Sequence, residues 1–357
     1  MNLVSLGWND FFAASLAPHA ARGMSAARVA VQHRGASWVL SEHGELFAEV
    51  SGRFRHHATA PSDFPVVGDW VAIESRVDEG KGSIHAVLPR RTKFSRTAAG
   101  SATEEQILAA NIDDVFIVAA LSAELNLRRI ERCLALAWES GANPGIVLTK
   151  ADLCENVSEA IAQAQTIAHG MPIFTISSVT GDGIEPLRSH WSSGRTAVVL
   201  GPSGVGKSTL INRLCGEDIQ SVQPVRASDL KGRHTTTRRE LICLPSGGWI
   251  IDTPGLRELQ LWDGEAGIGE IFSDVESLAM SCRFTDCQHE TEPGCAVIQA
   301  VENGSLDPAR LESHRKLKRE LAHFERRHDA RAQAGQRRHW KSVTKSLRAH
   351  HQMRGRA

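Results

Sequence analysis

The chain has 357 residues, 41% hydrophobic and 23% charged, with 41 Lys/Arg balancing 41 Asp/Glu. That length predicts two or three globular domains, and that composition excludes a disordered or collagen-like chain. No run approaches the ~18 apolar residues of a membrane span, the first Arg or Lys is Arg22, and the seven cysteines are unevenly spaced, so neither a signal peptide nor a secreted disulfide framework is expected and the cytoplasm is the expected compartment.

The neutrality hides a skew. From Arg310 to Ala357 there are 15 Lys/Arg and 4 Asp/Glu, a net of +11, so the residues before them carry −11. A basic end of this kind predicts contact with a polyanion.

Residues 1–26 form an N-terminal arm. Within it, residues 9–16 read as a short helix or a loose arm, with no chemistry assigned. Residues 27–96 change pattern. Five short β-type runs, at 28–32, 37–40, 46–50, 69–73 and 83–88, are punctuated by Gly35, Gly44, Gly52, Gly68, Gly80 and Gly82. That count predicts a small closed barrel of the OB type. Arg53, Arg55, His56 and His57 follow one strand; Arg90, Arg91 and Lys93 follow another. They fit either RNA contact or a solvated rim.

Residues 97–262 alternate strands and helices, which predicts an α/β domain with a mostly parallel sheet. Strands are expected at 115–120, 145–148, 172–176, 196–200, 240–244 and 248–252, with helices at 128–140 and 158–169. The strand at 196–200 runs into Gly201-Pro202-Ser203-Gly204-Val205-Gly206-Lys207-Ser208-Thr209, and a helical run follows. Strand, G-x-x-x-x-G-K-[ST], helix is the context of a phosphate-binding loop. The glycines let backbone N–H groups surround an anion, Lys207 is expected to reach the β- and γ-phosphates, and Ser208 to ligate Mg²⁺.

Thr149-Lys150-Ala151-Asp152 ends an apolar strand. The Asp152 carboxylate can accept from guanine N1–H and N2–H₂, a donor pair that adenine lacks; the other reading is a helix N-cap. Ser177 and Ser178 end the next strand and can support guanine O6. Asp252-Thr253-Pro254-Gly255 ends a later strand. There an Asp holds Mg²⁺ through its water shell, and Gly255 N–H senses the γ-phosphate. Between them, Gly232-Arg233-His234-Thr235-Thr236-Thr237 offers a switch threonine that completes the Mg²⁺ shell; three adjacent threonines leave the choice open, and Thr236 is preferred. The base-reading motifs precede the phosphate loop, so the domain is circularly permuted. Leu256 stands where a Gln would orient water in Ras-type enzymes. Slow intrinsic hydrolysis is therefore expected, with His234 the candidate for positioning water.

Residues 263–327 form a helical, charged region. Cys282-x₄-Cys287-x-His289-x₅-Cys295 is a Cys₃His set, which predicts one structural Zn²⁺ because four protein ligands leave no open position. Cys133, Cys154, Cys215 and Cys243 read as small buried thiols. Residues 328–357 form a basic tail with His339 and Trp340, suited to RNA phosphates and stacking.

Together these motifs resemble the bacterial small-subunit-dependent GTPases of the RsgA (YjeQ) type, over about residues 27–327. The match rests on the barrel, the permuted order, residues 201–209, 232–237 and 252–255, and the Cys₃His spacing. Thr149 departs from the commoner Asn. The resemblance implies a monomeric GTPase of late small-subunit assembly that binds rRNA through the barrel and zinc module. It also implies release on subunit-stimulated GTP hydrolysis, with His234 catalytic. The alternatives are a non-catalytic GTP-dependent RNA-binding switch and a P-loop ATPase or kinase acting on a small molecule.

Overall fold

The computed structural model describes residues 1–33, 35–97, 105–122, 124–168, 170–191, 193–216, 239–252 and 265–322. The barrel is β1 (Ser25–Gln32), β2 (Ala36–Ser41), β3 (Gly44–Val50), β4 (Trp70–Arg76) and β5 (Lys81–Val87). Pairings β1–β2, β2–β3, β3–β5, β5–β4 and β4–β1 close the ring. Its interior is small and branched, with Ala27, Val29, Val39, Leu46, Ala48, Val71, Ile73 and Ile84. Alternating in/out positions supply this filling, as a five-stranded barrel demands.

The arm is folded rather than loose. Asn9 caps α1 (Asp10–Ala20), accepting from the amides of Phe11 and Phe12, and α1 packs Phe12 against the buried Trp70, with Trp8 edge-on to the same indole. A short helix, α2 (Gly52–His57), follows β3. A hairpin of β6 (Lys93–Thr97) and β7 (Glu105–Ala110) then leads out of the barrel.

The second unit has β8 (Asp114–Ala120), α3 (Leu127–Glu139), β9 (Asn143–Thr149), α4 (Val157–Ala168), β10 (Ile173–Thr175), α5 (Ile184–His190), β11 (Thr196–Leu200), α6 (Lys207–Cys215), β12 (Glu240–Cys243) and β13 (Trp249–Asp252). The order β10-β9-β8-β11-β13 is parallel throughout, with β12 antiparallel on β13. The strands are continuous apolar runs, such as Val115–Val118 and Ile146–Leu148, because helices cover the sheet. Cys243, expected to be buried, is exposed: β12 has only its two central residues inside.

Barrel and sheet are one hydrogen-bonded surface. Val31 of β1 pairs with Glu240 of β12. Arg28, 2% exposed, donates to the carbonyls of Leu6, Gly68 (3.4 Å) and Asn111 (3.2 Å), joining arm, barrel and linker. Burial lowers its pKa to about 10, against the pull of Asp113 and Asp69, so it stays charged at neutral pH. The Trp249 indole donates to Ser5 O at 2.7 Å, three residues before Asp252 on the same strand.

The C-terminal helices are α7 (Glu265–Ile271), α8 (Ser273–Ala279), α9 (Ala296–Glu302) and α10 over 308–322. α7 lies close on α3, where a Cβ on Gly267 would sit 2.4 Å from Ala135 O. The fully buried Glu131 of α3 pairs with Arg310 at 3.1 Å and accepts from the Ser313 hydroxyl. Arg310 also bonds Asp274 and the Ile271 carbonyl and lies over the Phe272 ring.

Candidate functional site

The candidate site lies at the C-terminal ends of the parallel strands, where open α/β sheets bind ligands. β11 must turn into α6 within six residues. Gly201, Gly204 and Gly206 make the turn at φ of 152°, 81° and 98°. A Cβ on Gly201 would sit 2.5 Å from Val118 O, so any side chain there pushes β11 off β8. Such a loop at a helix N-terminus is an anion cradle. The Lys207 ammonium donates to Gly201 O (2.7 Å) and Pro202 O (2.6 Å), which holds it over the loop. Ser208 and Thr209 follow, half-buried, on the first turn of α6, while Ser203 is exposed and Val205 buried.

β9 brings Thr149–Asp152 alongside. Thr149 is 1% exposed, and its hydroxyl lies 2.5 Å from Val205 O and 3.3 Å from Ala119 O. Lys150 has φ of 59°, rare for a residue with a side chain. That turn carries its ammonium to Gly204 O, 2.8 Å away. Two neighbouring side chains therefore bind the loop after β9 to the loop after β11. Asp152 sits exposed in the single turn Ala151–Leu153.

The loop after β10 joins them, since Ala151 N–H donates to Ile176 O at 3.1 Å. Ser177, 1% exposed, accepts from Thr180 N–H on its hydroxyl at 3.1 Å, and its own N–H donates to Asp182 O. Gly183 lets the loop close, as a Cβ there would meet Thr175 O at 2.0 Å. Ser178 is half-buried beside it. Asp252 ends β13, which runs parallel to β11, so the residue stands at the same edge of the sheet. Four strands, β9, β10, β11 and β13, thus gather motifs separated by about a hundred residues. His234, Thr236, Gly255 and Leu256 lie outside the described residues.

The hydroxyl of Thr149 makes a contact to the 201–206 loop that the sequence pattern concealed. Thr149→Val keeps the shape and deletes the donor, leaving Val205 O without that bond. GTP affinity is expected to fall about tenfold, on the order of 1.4 kcal/mol. Thr149→Ser should retain most of it in the same titration.

The second centre is on the helical module. The ligand atoms of Cys282, Cys287, His289 and Cys295 lie within 4.8 Å of one another. Cys282 Sγ is 3.8 Å from Cys295 Sγ and 3.6 Å from His289 Nδ1, and Cys295 Sγ is 3.4 Å from that nitrogen. A tetrahedron with Zn–S of 2.3 Å and Zn–N near 2.0 Å has edges of about 3.5–3.8 Å. The donor set and its spacing therefore fit Zn²⁺. His289 adopts φ of 59° to turn its ring inward. Glu292 accepts from the amides of Gln288, Glu290 and Thr291, and these bonds hold its carboxyl down at about 2. It thereby fixes the loop between His289 and Cys295.

Over its full length the chain is 47% identical, across 365 aligned residues and 100% of each chain, to the small ribosomal subunit biogenesis GTPase RsgA of Opitutus terrae. The chain belongs to the RsgA GTPase family. The family profile described as RsgA GTPase matches residues 87–262, the span that holds every motif of the nucleotide site. A second RsgA, from Streptomyces avermitilis, is 46% identical over 95% of this chain and 91% of its own. Among solved structures, YjeQ from Thermotoga maritima superposes with a TM-score of 0.64 at 29% identity, covering 84% of this chain and 99% of that one. YloQ, described as a circularly permuted GTPase, gives 0.62 at 25% identity over 84% and 95%. The motif order here is therefore the permuted RsgA order, carried on a GTPase domain between an N-terminal barrel and a C-terminal Cys₃His module.

Proposed function

We propose that this RsgA-family GTPase works in the cytoplasm, as a monomer, in late maturation of the small ribosomal subunit. It binds the subunit's rRNA in the GTP state and leaves when GTP is hydrolysed. The observation that carries the reading is the full-length identity to proteins named for that role, together with a base-reading loop bonded to the phosphate loop.

In this reading the amides of residues 201–206 and the N-terminus of α6 hold the phosphates, and Lys207 leaves its loop carbonyls for the β- and γ-oxygens. Asp152 reads guanine while Ser177 and Ser178 border its O6 side. Ser208 and Thr236, with Asp252 acting through the water shell, would hold Mg²⁺, which would supply positive charge beside the phosphates. Gly255 N–H senses the γ-phosphate. Leu256 has no polar group to orient water, so turnover is slow until the subunit brings His234 into place. Cys282, Cys287, His289 and Cys295 hold a structural Zn²⁺.

Two measurements test this. Asp152→Asn removes a charged acceptor of two bonds, and GTP affinity should drop about 100-fold, on the order of 3 kcal/mol. The same variant should gain affinity for xanthosine triphosphate, whose C2 carbonyl accepts from the new amide. Unchanged GTP affinity, or equal competition by ATP, would return the site to a generic triphosphate cradle. Second, GTP turnover is measured with and without purified small subunits. An absence of stimulation would remove the release step.

A further inference from the structure

A cavity of about 60 Å³ lies at the N-terminal ends of β8, β9 and β11, the sheet edge opposite the nucleotide site. Its walls include Phe12 of the arm, Arg28 and Trp70 of the barrel, Arg91 of the linker, and Asp113 and Asn143 of the GTPase unit. A space of this size admits a small ion with one or two waters.

The charged groups around the cavity pair off and leave one over. Asp69 makes a bidentate pair with Arg90, at 2.8 and 2.7 Å. Asp114 does the same with Arg195, at 2.8 and 2.6 Å. Asp113 accepts from Thr196 N–H at 2.8 Å on one oxygen, and its other oxygen lies 4.0 Å from the Arg91 guanidinium. Arg28 is the remaining cation, and it is fully buried. Among the described residues its acceptors are three backbone carbonyls, of Leu6, Gly68 and Asn111, and none is a carboxylate. These take one N–H from each nitrogen, so two of the five N–H groups of the guanidinium, one on each terminal nitrogen, have no acceptor in the protein. Carbonyl dipoles satisfy hydrogen bonds but do not cancel a charge, and buried charges are as a rule paired.

We infer that this cavity holds a small monovalent anion of halide size as the counter-ion of Arg28. One excess positive charge calls for one negative charge, and two spare N–H groups on neighbouring nitrogens suit a single spherical acceptor. Asp113 is the one repulsive group in the lining, and Arg91 offsets it. Because the walls come from the arm, the barrel, the linker and the GTPase unit, an ion there ties all four at one point, on the side of the sheet away from the phosphates.

The test uses the full zinc-loaded chain saturated with GDP, so that the phosphate loop is already filled. Bromide is exchanged for gluconate, which is too bulky to enter, at constant ionic strength. The melting temperature is expected to rise saturably, by on the order of 2 °C at ten times the bromide Kd. Crystals of the same complex grown in bromide should show anomalous scattering beside Arg28. Asp113→Asn keeps an acceptor for Thr196 N–H and removes the repulsive charge, so bromide should bind about tenfold more tightly. Arg91→Ala leaves Asp113 uncompensated beside the cavity, so bromide should bind about fivefold more weakly. A merely structural role for these two residues would not move halide affinity in opposite directions. A melting temperature indifferent to bromide, bromide scattering only elsewhere on the molecule, or parent-like bromide affinity in either variant would overturn the assignment.

Discussion

Lys207→Ala is expected to lower GTP turnover by on the order of 10²–10³, the range seen when one preorganised donor to a transition-state oxygen is removed. The ammonium is held 2.7 and 2.6 Å from the carbonyls of Gly201 and Pro202, at the first residue of α6. It is thus stored over the cradle rather than swept in from solvent, and its transfer to phosphate oxygens needs a short movement. Lys207→Arg should not restore the rate. A planar guanidinium is bulkier than an ammonium, and the loop approaches β8 so closely that Gly201 has no room for a Cβ. Single-turnover hydrolysis at saturating GTP separates this effect from weakened binding. Hydrolysis within threefold of the parent would show that the loop amides and Mg²⁺ suffice without the lysine.

The turn from β11 into α6 was readable because its signals are local. Thr196–Leu200 is an uninterrupted apolar strand, and glycines at 201, 204 and 206 announce a turn that only small residues permit. The barrel was readable from five apolar runs between glycines. What escaped the sequence depends on partners distant in the chain. The hairpin of Lys93–Thr97 and Glu105–Ala110 begins as polar alternation, and its pairing is set across a loop rather than by a periodic face. α2 has only six residues, four of them basic, too short for helical periodicity to register. The arm looked empty of chemistry because its value is tertiary: Trp8 and Phe12 on Trp70, Ser5 O on Trp249, Leu6 O on Arg28. Arg28 itself reads as an ordinary strand residue, since nothing nearby in sequence discloses that it is buried. Thr149 is a further case. Measured against the commoner Asn it looks like a weakened base reader, yet its hydroxyl bonds the phosphate loop directly. The contacts that sequence could not supply are mostly those joining units. β1 pairs with β12, Trp249 ties β13 to the arm, and Glu131 locks α3 to α10. β12 pairs with β1 on one side and on the other with β13, which ends at Asp252, so barrel and sheet edge share strands rather than a flexible linker.

Removing zinc should unfold the C-terminal module while leaving nucleotide binding in place. The region from Met280 to Gly294 contains no helix or strand, and Met280 and Phe284 are exposed at 83% and 42%. With so little apolar burial of its own, the segment depends on ligands that reach one point, and binding a structural Zn²⁺ is then folding free energy. Protons compete for the three thiolates and the imidazole, so stripping by chelator should become easier as pH falls. α8, α9 and α10 pack around the loop, so its loss should expose them. The break should stop at α3, because Glu131, Arg310, Asp274 and Ser313 are joined without any cysteine. Removing Arg310 instead attacks that joint. Arg310→Met leaves the fully buried Glu131 with the more exposed Arg128, also 3.1 Å away, as its cation, and should cost about 3 kcal/mol. The two perturbations are therefore distinguishable in a thermal melt. Chelation, or Cys295→Ser, should detach a low-temperature step from the transition and keep GDP binding near the parent value. Arg310→Met should lower the main transition with zinc still bound at one per chain. A Cys295→Ser protein that melts like its parent, or a parent with no zinc by elemental analysis, would mean that the Cys₃His cluster does not hold this module together.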